Sequence, residues 1–159
     1  RAQSIATNRD VEWESWVDER LAVLLFPNIS RTFGESLRAF DYVHAVPSFS
    51  TTTQYKSRVV GAFAMWAFAR PKVKRKHGIE NERGALRDAL DTFGTSALDG
   101  ASFVGGDKPS FADISAFGCL RAIENMPAFD EVMAMNTDVS AWYRRMQSVV
   151  GESACVSYR

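Results

Sequence analysis

The sequence predicts an all-α fold, a single domain of about six or seven helices across residues 1–159, and three observations support it. Apolar residues recur at the three- and four-residue spacing of helices along most of the chain, and no segment alternates convincingly like a strand. A chain of 159 residues is the size of one hydrophobic core. The content of 46% hydrophobic and 24% charged residues is ordinary for a globular domain. We expect a core over residues 10–150, with extended tails at 1–9 and 151–159.

The first two helices are marked by apolar spacing and by capping residues. Trp13 and Leu24 share an apolar face that we expect to end at Pro27, because proline lacks the amide that continues a helix. Thr32 and Glu35 have the spacing of a capping box, in which each side chain accepts a hydrogen bond from the other residue's amide. A second helix is therefore predicted to begin after Thr32.

Residues 55–69 predict the third helix, and residues 81–98 predict the fourth. The third is apolar on most sides, so we expect it to be central and buried. It leads into residues 70–77, the densest run of positive charge in the chain, which suits the negative end of a helix dipole before Gly78. The fourth helix is amphipathic, with its apolar residues on one face.

Three more helices are predicted over residues 110–123, 128–135 and 138–149. The first of them opens at Ser110, whose side chain and that of Asp113 have the spacing of a second capping box. We expect this helix to be buried, with Ile114 in the core beside Phe117 and Leu120. We expect the residues of the two capping boxes, Thr32 with Glu35 and Ser110 with Asp113, to be structural rather than catalytic.

Charge and cysteine content exclude several classes of function. Lys+Arg and Asp+Glu number 19 each, so the chain lacks the positive field that nucleic-acid binding needs. No apolar run approaches the roughly 20 residues of a membrane-spanning helix. The cysteines, Cys119 and Cys155, show no zinc or disulfide spacing, which favours a reducing intracellular compartment. Because the chain starts at Arg1 without an apolar signal segment, we expect a processed precursor, mitochondrial rather than cytoplasmic or Golgi-associated.

One segment carries a family resemblance. Residues 105–113, Gly-Gly-Asp-Lys-Pro-Ser-Phe-Ala-Asp, resemble the GG-x-x-P-S-x-A-D signature of the glutathione transferase C-terminal domain. Residues 13–18, 27–32 and 142–143 extend the resemblance to the prostaglandin E synthase 2 family of that superfamily. The resemblance implies a helical bundle preceded, in the family, by a thioredoxin-like domain whose Cys-x-x-Cys works with glutathione. This chain contains no such motif.

The resemblance also implies where a ligand pocket would lie. The family's pocket His and Ser correspond here to Val23 and Phe26, which can neither ligate nor hydrogen-bond through their side chains. Its pocket arginines have Lys72 and Lys76 as their nearest matches. We interpret these four residues as the remnant of a pocket, and we expect no bound cofactor. Glutathione or haem would bind only if the chain is part of an active enzyme.

The remaining reactive side chains offer no catalytic arrangement. Cys119 lies mid-helix among apolar residues and is expected to be structural, and Cys155 lies in the tail. His44 and His77 have no neighbouring nucleophile and no second histidine at metal spacing. We therefore assign no catalytic residue and no metal ligand.

Two functions remain open. The first is a non-catalytic structural or interaction subunit of a larger assembly. The alternative is the C-terminal part of a glutathione-dependent prostaglandin E synthase or a related transferase, whose thioredoxin-like domain is absent from this chain. Under either, we expect exposed apolar surface around Trp13, Leu24 and Phe26, and a protein partner or the severed domain packed over the Leu24 to Pro27 region. Residues 70–77 would form a polar rim that steers an acidic partner.

Overall fold

The computed structural model describes residues 8–41 and 50–151, which form seven helices. The helices are α1 (residues 8–29), α2 (Phe33–Ala39), α3 (residues 51–77), α4 (residues 82–98), α5 (Phe111–Arg121), α6 (Pro127–Met135) and α7 (Thr137–Val150). Within the described residues the only strand-like pairing is an isolated bridge between Phe103 and Gly106. The all-α prediction is confirmed. The predicted tails lie almost entirely outside the described residues.

Three of the helices contain a π-helical turn, in which hydrogen bonds run to the fifth residue along the chain. Helix α1 consists of Asn8–Trp16, the π turn Val17–Leu21 and Ala22–Ile29. Helix α3 consists of Thr51–Ala64, the π turn Met65–Ala69 and Arg70–His77, and α4 of Glu82–Thr92 and the π turn Phe93–Leu98. Each π turn shifts the faces of its helix, so apolar residues five apart come to lie side by side.

Helix α1 is the centre of the bundle and continues through Pro27 to Ile29, so its predicted end at Pro27 is wrong. It contacts α2, α3, α4, α5 and α6. Pro27 has no amide hydrogen to donate within the helix, and side-chain hydrogen bonds hold the last turn instead. Asn28 Nδ2 donates to the Leu24 carbonyl at 2.8 Å, and Ser30 Oγ donates to the Phe26 carbonyl at 2.6 Å.

Helix α3 is peripheral, and the prediction that it is central and buried is wrong. It packs on α2 and on the C-terminal part of α1, and only Ala62 along it is buried. Val60 is 66% exposed and Phe68 is 68% exposed. The apolar pattern correctly predicts a helix here, but a pattern does not show how many neighbours a helix has. Because α1 occupies the centre, α3 covers the bundle with one face and leaves the other open.

The core lies among α1, α4, α5 and α7. Its aromatic centre is Phe93 on α4, whose ring lies 4.9 Å from that of Trp142 on α7, centroid to centroid. Trp13 and Trp16 of α1 also contact Phe93, at 6.3 and 6.4 Å. The aliphatic part consists of fully buried residues from the same helices, chiefly Val17, Leu21, Leu86, Leu90, Leu120, Val139 and Met146. No helix within the described residues is long and apolar enough to cross a membrane.

The capping box predicted at Thr32 is present and begins α2. The Glu35 amide donates to Thr32 Oγ1 at 3.1 Å, and the Thr32 amide donates to Glu35 Oε2 at 3.0 Å. Both bonds satisfy amides that the first turn of a helix leaves unpaired. The sequence alone placed this helix start correctly.

Thr32→Ala is expected to lower the free energy of unfolding by about 1 kcal/mol, because it removes the N-cap acceptor from a short helix. Urea denaturation measures this loss. Thr52→Ala, a substitution of the same type at an exposed position inside α3, serves as the control and should change stability by less than about 0.5 kcal/mol. Equal losses in the two variants would contradict a capping role for Thr32.

Candidate functional site

The structure does not gather the four predicted pocket residues into one cavity. Val23 packs against the core and Phe26 is half-buried, both on α1, whereas Lys72 and Lys76 are exposed on α3. An open groove of about 490 Å³ lies at the end of α3, and its charged lining is Arg70, Lys74, Arg75 and Glu80 instead.

The segment around Leu24 and Pro27 is not an exposed apolar surface. Leu24 is 2% exposed and belongs to the core, and Pro27 is buried as well. Phe26 and Trp13 are half-buried. The expectation that Leu24 is exposed is therefore wrong, because the C-terminal part of α1 packs against α2, α3, α4 and α6.

A buried acidic group, Glu82, ties α4 to α3. Its two carboxylate oxygens accept hydrogen bonds from Arg70 and Lys74, and all three side chains are largely shielded from water. Burial by itself raises the pKa of the Glu82 carboxyl, but the hydrogen bonds from Lys74 and Arg70 outweigh it and lower the pKa to about 2. Arg70 and Lys74, two of the cations in the positively charged residues 70–77, are thus neutralised inside the fold. Sequence reasoning missed this cluster, since Glu82 stands in an amphipathic pattern like any solvated acid.

A second polar network joins α1, α2, α4 and α6. Asn28, which is fully buried, donates to the Glu82 carbonyl at 2.8 Å and accepts from Arg83 at 3.2 Å. Arg83 also pairs with Glu35 and Glu131, both at 3.0 Å. Glu35 therefore has two roles, as helix cap and as ion-pair partner. Buried groups paired in this way fix the relative positions of helices.

Asp113 is the most heavily hydrogen-bonded side chain described. It caps α5 together with Ser110, as predicted. Beyond the cap it reaches two other parts of the fold, which the sequence did not reveal. The fully buried carboxylate accepts bonds from the Val104 amide (3.0 Å), the Gly105 amide (3.4 Å), the Ser110 amide (2.8 Å), the Ser110 hydroxyl (2.9 Å) and the Trp142 indole (2.8 Å). Asp113 thus ties the Gly-Gly turn, α5 and α7 together.

The thiols and imidazoles offer no activated nucleophile within the described residues. Cys119 is half-buried on α5; burial raises the pKa of its thiol, and the nearby Asp18 carboxylate raises it further. A thiol held in its protonated form is a poor nucleophile. His77 is exposed at the end of α3, where Gly78 follows with φ +64°. The predictions for Cys155 and His44 concern positions outside the described residues.

Exposed apolar residues lie instead on α1 and α5, two helices that pack against each other. Val11 on α1 is 55% exposed, and Phe111 and Ile114 on α5 are 60% and 53% exposed. The expectation that Ile114 lies in the core is wrong. Phe111, Ile114 and the exposed Gly118 are three and four residues apart, so they share one face of α5, opposite the face that holds Ala116 and Leu120 in the core. We call Val11, Phe111 and Ile114 the α1–α5 surface.

Comparison with known proteins shows which sequences this chain is similar to. A sequence model of the glutathione S-transferase C-terminal domain matches residues 76–145, from the end of α3 into α7. Two curated relatives are both named prostaglandin E synthase 2. The Danio rerio protein is 34% identical over 139 residues, which is 87% of this chain and 36% of that protein. The Mus musculus protein is 31% identical over 153 residues, 96% of this chain and 40% of that protein. The chain thus spans less than half the length of these relatives.

Proposed function

We propose that this chain, whose residues 76–145 match a glutathione S-transferase C-terminal domain, works as a structural or interaction subunit rather than as a catalyst by itself. The observation that carries the proposal is the α1–α5 surface, where Val11, Phe111 and Ile114 are each more than half exposed. Apolar side chains this exposed on two helices that pack together are candidates for contact with a partner. The partner we propose is another protein or a further domain.

The chemistry of the described residues supports a non-catalytic role. The only described thiol, Cys119, has a raised pKa, and the positions that match the family's pocket hold Val23 and Phe26. We propose that this chain by itself uses neither glutathione nor haem. We further propose that it works in a reducing compartment, the mitochondrion first among them.

The second candidate function is part of an enzyme. Relatives named prostaglandin E synthase 2 match nearly the whole chain and are more than twice as long. On this alternative, the α1–α5 surface packs against a thioredoxin-like domain that supplies the thiol, and the helical domain holds that thiol in place. Both functions require the same surface to be covered by protein, and they differ in what covers it.

The test is binding in trans. The part of the Danio rerio relative outside the region that this chain matches is expressed alone and titrated with this chain by isothermal calorimetry. We expect binding, and we expect Phe111→Glu to weaken it at least about tenfold, because a carboxylate in an apolar interface must be desolvated without a partner. Val149→Glu changes an equally exposed residue on α7 and should bind like the unchanged chain.

Circular dichroism of each variant checks that the helices remain formed. No binding by the unchanged chain would reject the α1–α5 surface as the docking site of such a domain. Equal weakening by Phe111→Glu and Val149→Glu would show that charge on the chain as a whole, not the surface, governs the contact. Turnover of a prostaglandin endoperoxide by the reconstituted pair, but by neither part alone, would favour the enzyme alternative.

A further inference from the structure

A small cavity of about 230 Å³ lies at the start of α4. Its lining comes from the turn between α1 and α2, from the first turns of α4 and from α6. Three of the lining residues are arginines, Arg31, Arg83 and Arg87, and Glu131 is the acid that lines it with them. We call it the arginine cavity.

Arg83 is a fixed part of this lining. It is 7% exposed, and its Nη1 and Nη2 donate to Asn28 and Glu35 at 3.2 and 3.0 Å. Its Nε lies 3.0 Å from a Glu131 oxygen, but the N–H is not directed at that oxygen and makes no hydrogen bond within the described residues. A buried donor without an acceptor is unfavourable, so Arg83 retains one N–H for a further acceptor.

Arg31 and Arg87 are poorly balanced by acids. Arg31 is exposed and makes no ion pair with any described residue. Arg87 pairs with the adjacent Asp88 at 3.5 Å, with both side chains about half exposed or more. Adjacent residues of a helix do not face each other, and such exposed pairs contribute little. Arg83 and Arg87 lie one turn apart on α4, so their like charges repel each other unless an anion offsets them.

The start of α4 adds to the positive charge of the cavity. Asn81 Oδ1 accepts a hydrogen bond from the Gly84 amide at 3.1 Å, and both residues line the cavity. The amide end of a helix is equivalent to roughly half a positive charge. Glu131 and Glu35 together offset two of the three guanidinium charges. The cavity is therefore positive and favours an anion.

We propose that the arginine cavity binds a phosphate group, either as the free ion or as part of a small phosphorylated molecule. Guanidinium groups present paired N–H donors that match phosphate oxygens, and a phosphate offers more oxygens and more charge than a carboxylate. Sites for drug-sized ligands measure roughly 300–1,000 Å³, so this cavity suits a smaller ligand. The inference depends neither on the proposed function nor on the α1–α5 surface.

Nuclear magnetic resonance of the arginine Nε–H groups tests the proposal. The ¹⁵N-labelled chain is titrated with sodium phosphate, with glycerol 3-phosphate and with sodium acetate, at an ionic strength held constant with sodium chloride. We expect saturable shifts of the Arg31, Arg83 and Arg87 signals with both phosphates, and at least about tenfold weaker binding of acetate. Tighter binding of glycerol 3-phosphate would identify a phosphorylated small molecule as the ligand, and equal binding would identify the free ion.

Substitutions in the lining should change phosphate affinity in opposite directions. Arg31→Gln and Arg87→Gln, both at exposed positions, should each weaken binding at least about fivefold. Glu131→Gln should strengthen it about threefold, because it removes a like charge from beside the ligand. Arg144→Gln, at an exposed position on α7, is the matched control and should bind like the unchanged chain.

Circular dichroism checks that each variant is folded. The proposal is wrong if phosphate causes no saturable shift, if acetate binds as well as phosphate, or if Arg144→Gln weakens binding as much as Arg31→Gln. It is also wrong if Glu131→Gln leaves the affinity unchanged or lowers it. Phe111→Glu should bind phosphate normally, so this proposal and the proposed function fail separately.

Discussion

Asp113→Ala is expected to lower the free energy of unfolding by about 4 kcal/mol, the largest effect of any single substitution we propose. The carboxylate is fully buried and accepts five hydrogen bonds, from three main-chain amides, the Ser110 hydroxyl and the Trp142 indole. Alanine leaves these donors inside the fold without an acceptor, and each buried donor left unpaired costs about 1–3 kcal/mol. Urea denaturation, followed by circular dichroism, measures the loss.

Two further variants separate the network from the helix cap alone. Asp113→Asn keeps one acceptor oxygen and should lose about half as much stability, because an amide group replaces the other oxygen and faces donors. Asp107→Ala removes an exposed acid from the same turn and should change stability by less than about 0.5 kcal/mol. A loss below about 1 kcal/mol for Asp113→Ala would show that the cap can reform without the bonds to Val104 and Trp142.

Lowering the pH is expected to lower the free energy of unfolding through protonation of Glu82. Its pKa is lowered from 4.5 to about 2 in the folded chain, so the folded state holds this carboxyl ionised over a range where the unfolded chain protonates it. A lowered pKa contributes stability that is fully present above the unfolded value and is lost as pH falls through the folded one. The contribution is up to about 3 kcal/mol, lost between about pH 5 and about pH 2. Urea denaturation across this range measures it.

Glu82→Gln removes the source of that pH dependence. At neutral pH it should cost about 3 kcal/mol, because Arg70 and Lys74 remain largely shielded without their counter-charge. Its stability should then vary less with acid than that of the unchanged chain. Glu80→Gln, at an exposed neighbouring position, should retain the full acid dependence. An acid profile that Glu82→Gln leaves unaltered would assign the effect to other carboxyls.

The helices, and the starts of α2 and α5, were determined by local sequence. The capping boxes at Thr32 and Ser110 join residues three positions apart, so the sequence contains both partners of each bond. The apolar spacing of α4 to α7 gave their extents to within two residues. The largest difference is that α5 ends at Arg121 rather than Ile123 and is followed by turns. The family followed from the same segment, because the Gly-Gly turn and the cap form one continuous motif.

The tertiary structure alone decided which apolar residues are buried. The sequence placed α3 and Ile114 in the core and Leu24 at the surface, and all three placements were wrong. Periodicity identifies the apolar face of a helix, but burial depends on how many other helices lie against that face. Because α1 lies at the centre of the bundle, other helices cover only one face of α3.

The sequence likewise revealed the local polar contacts and not the long-range ones. The cap between Ser110 and Asp113 was visible in the sequence, whereas the bond from Asp113 to Trp142 joins residues 29 apart and the bond from Arg83 to Asn28 joins residues 55 apart. A carboxylate's partners over such separations depend on which helices pack together. The sequence by itself therefore determined the helices, their caps and the family. The packing of α1 at the centre decided the buried ion pairs and which apolar residues stay exposed, because burial and long-range pairing are properties of the assembled bundle and not of any one segment.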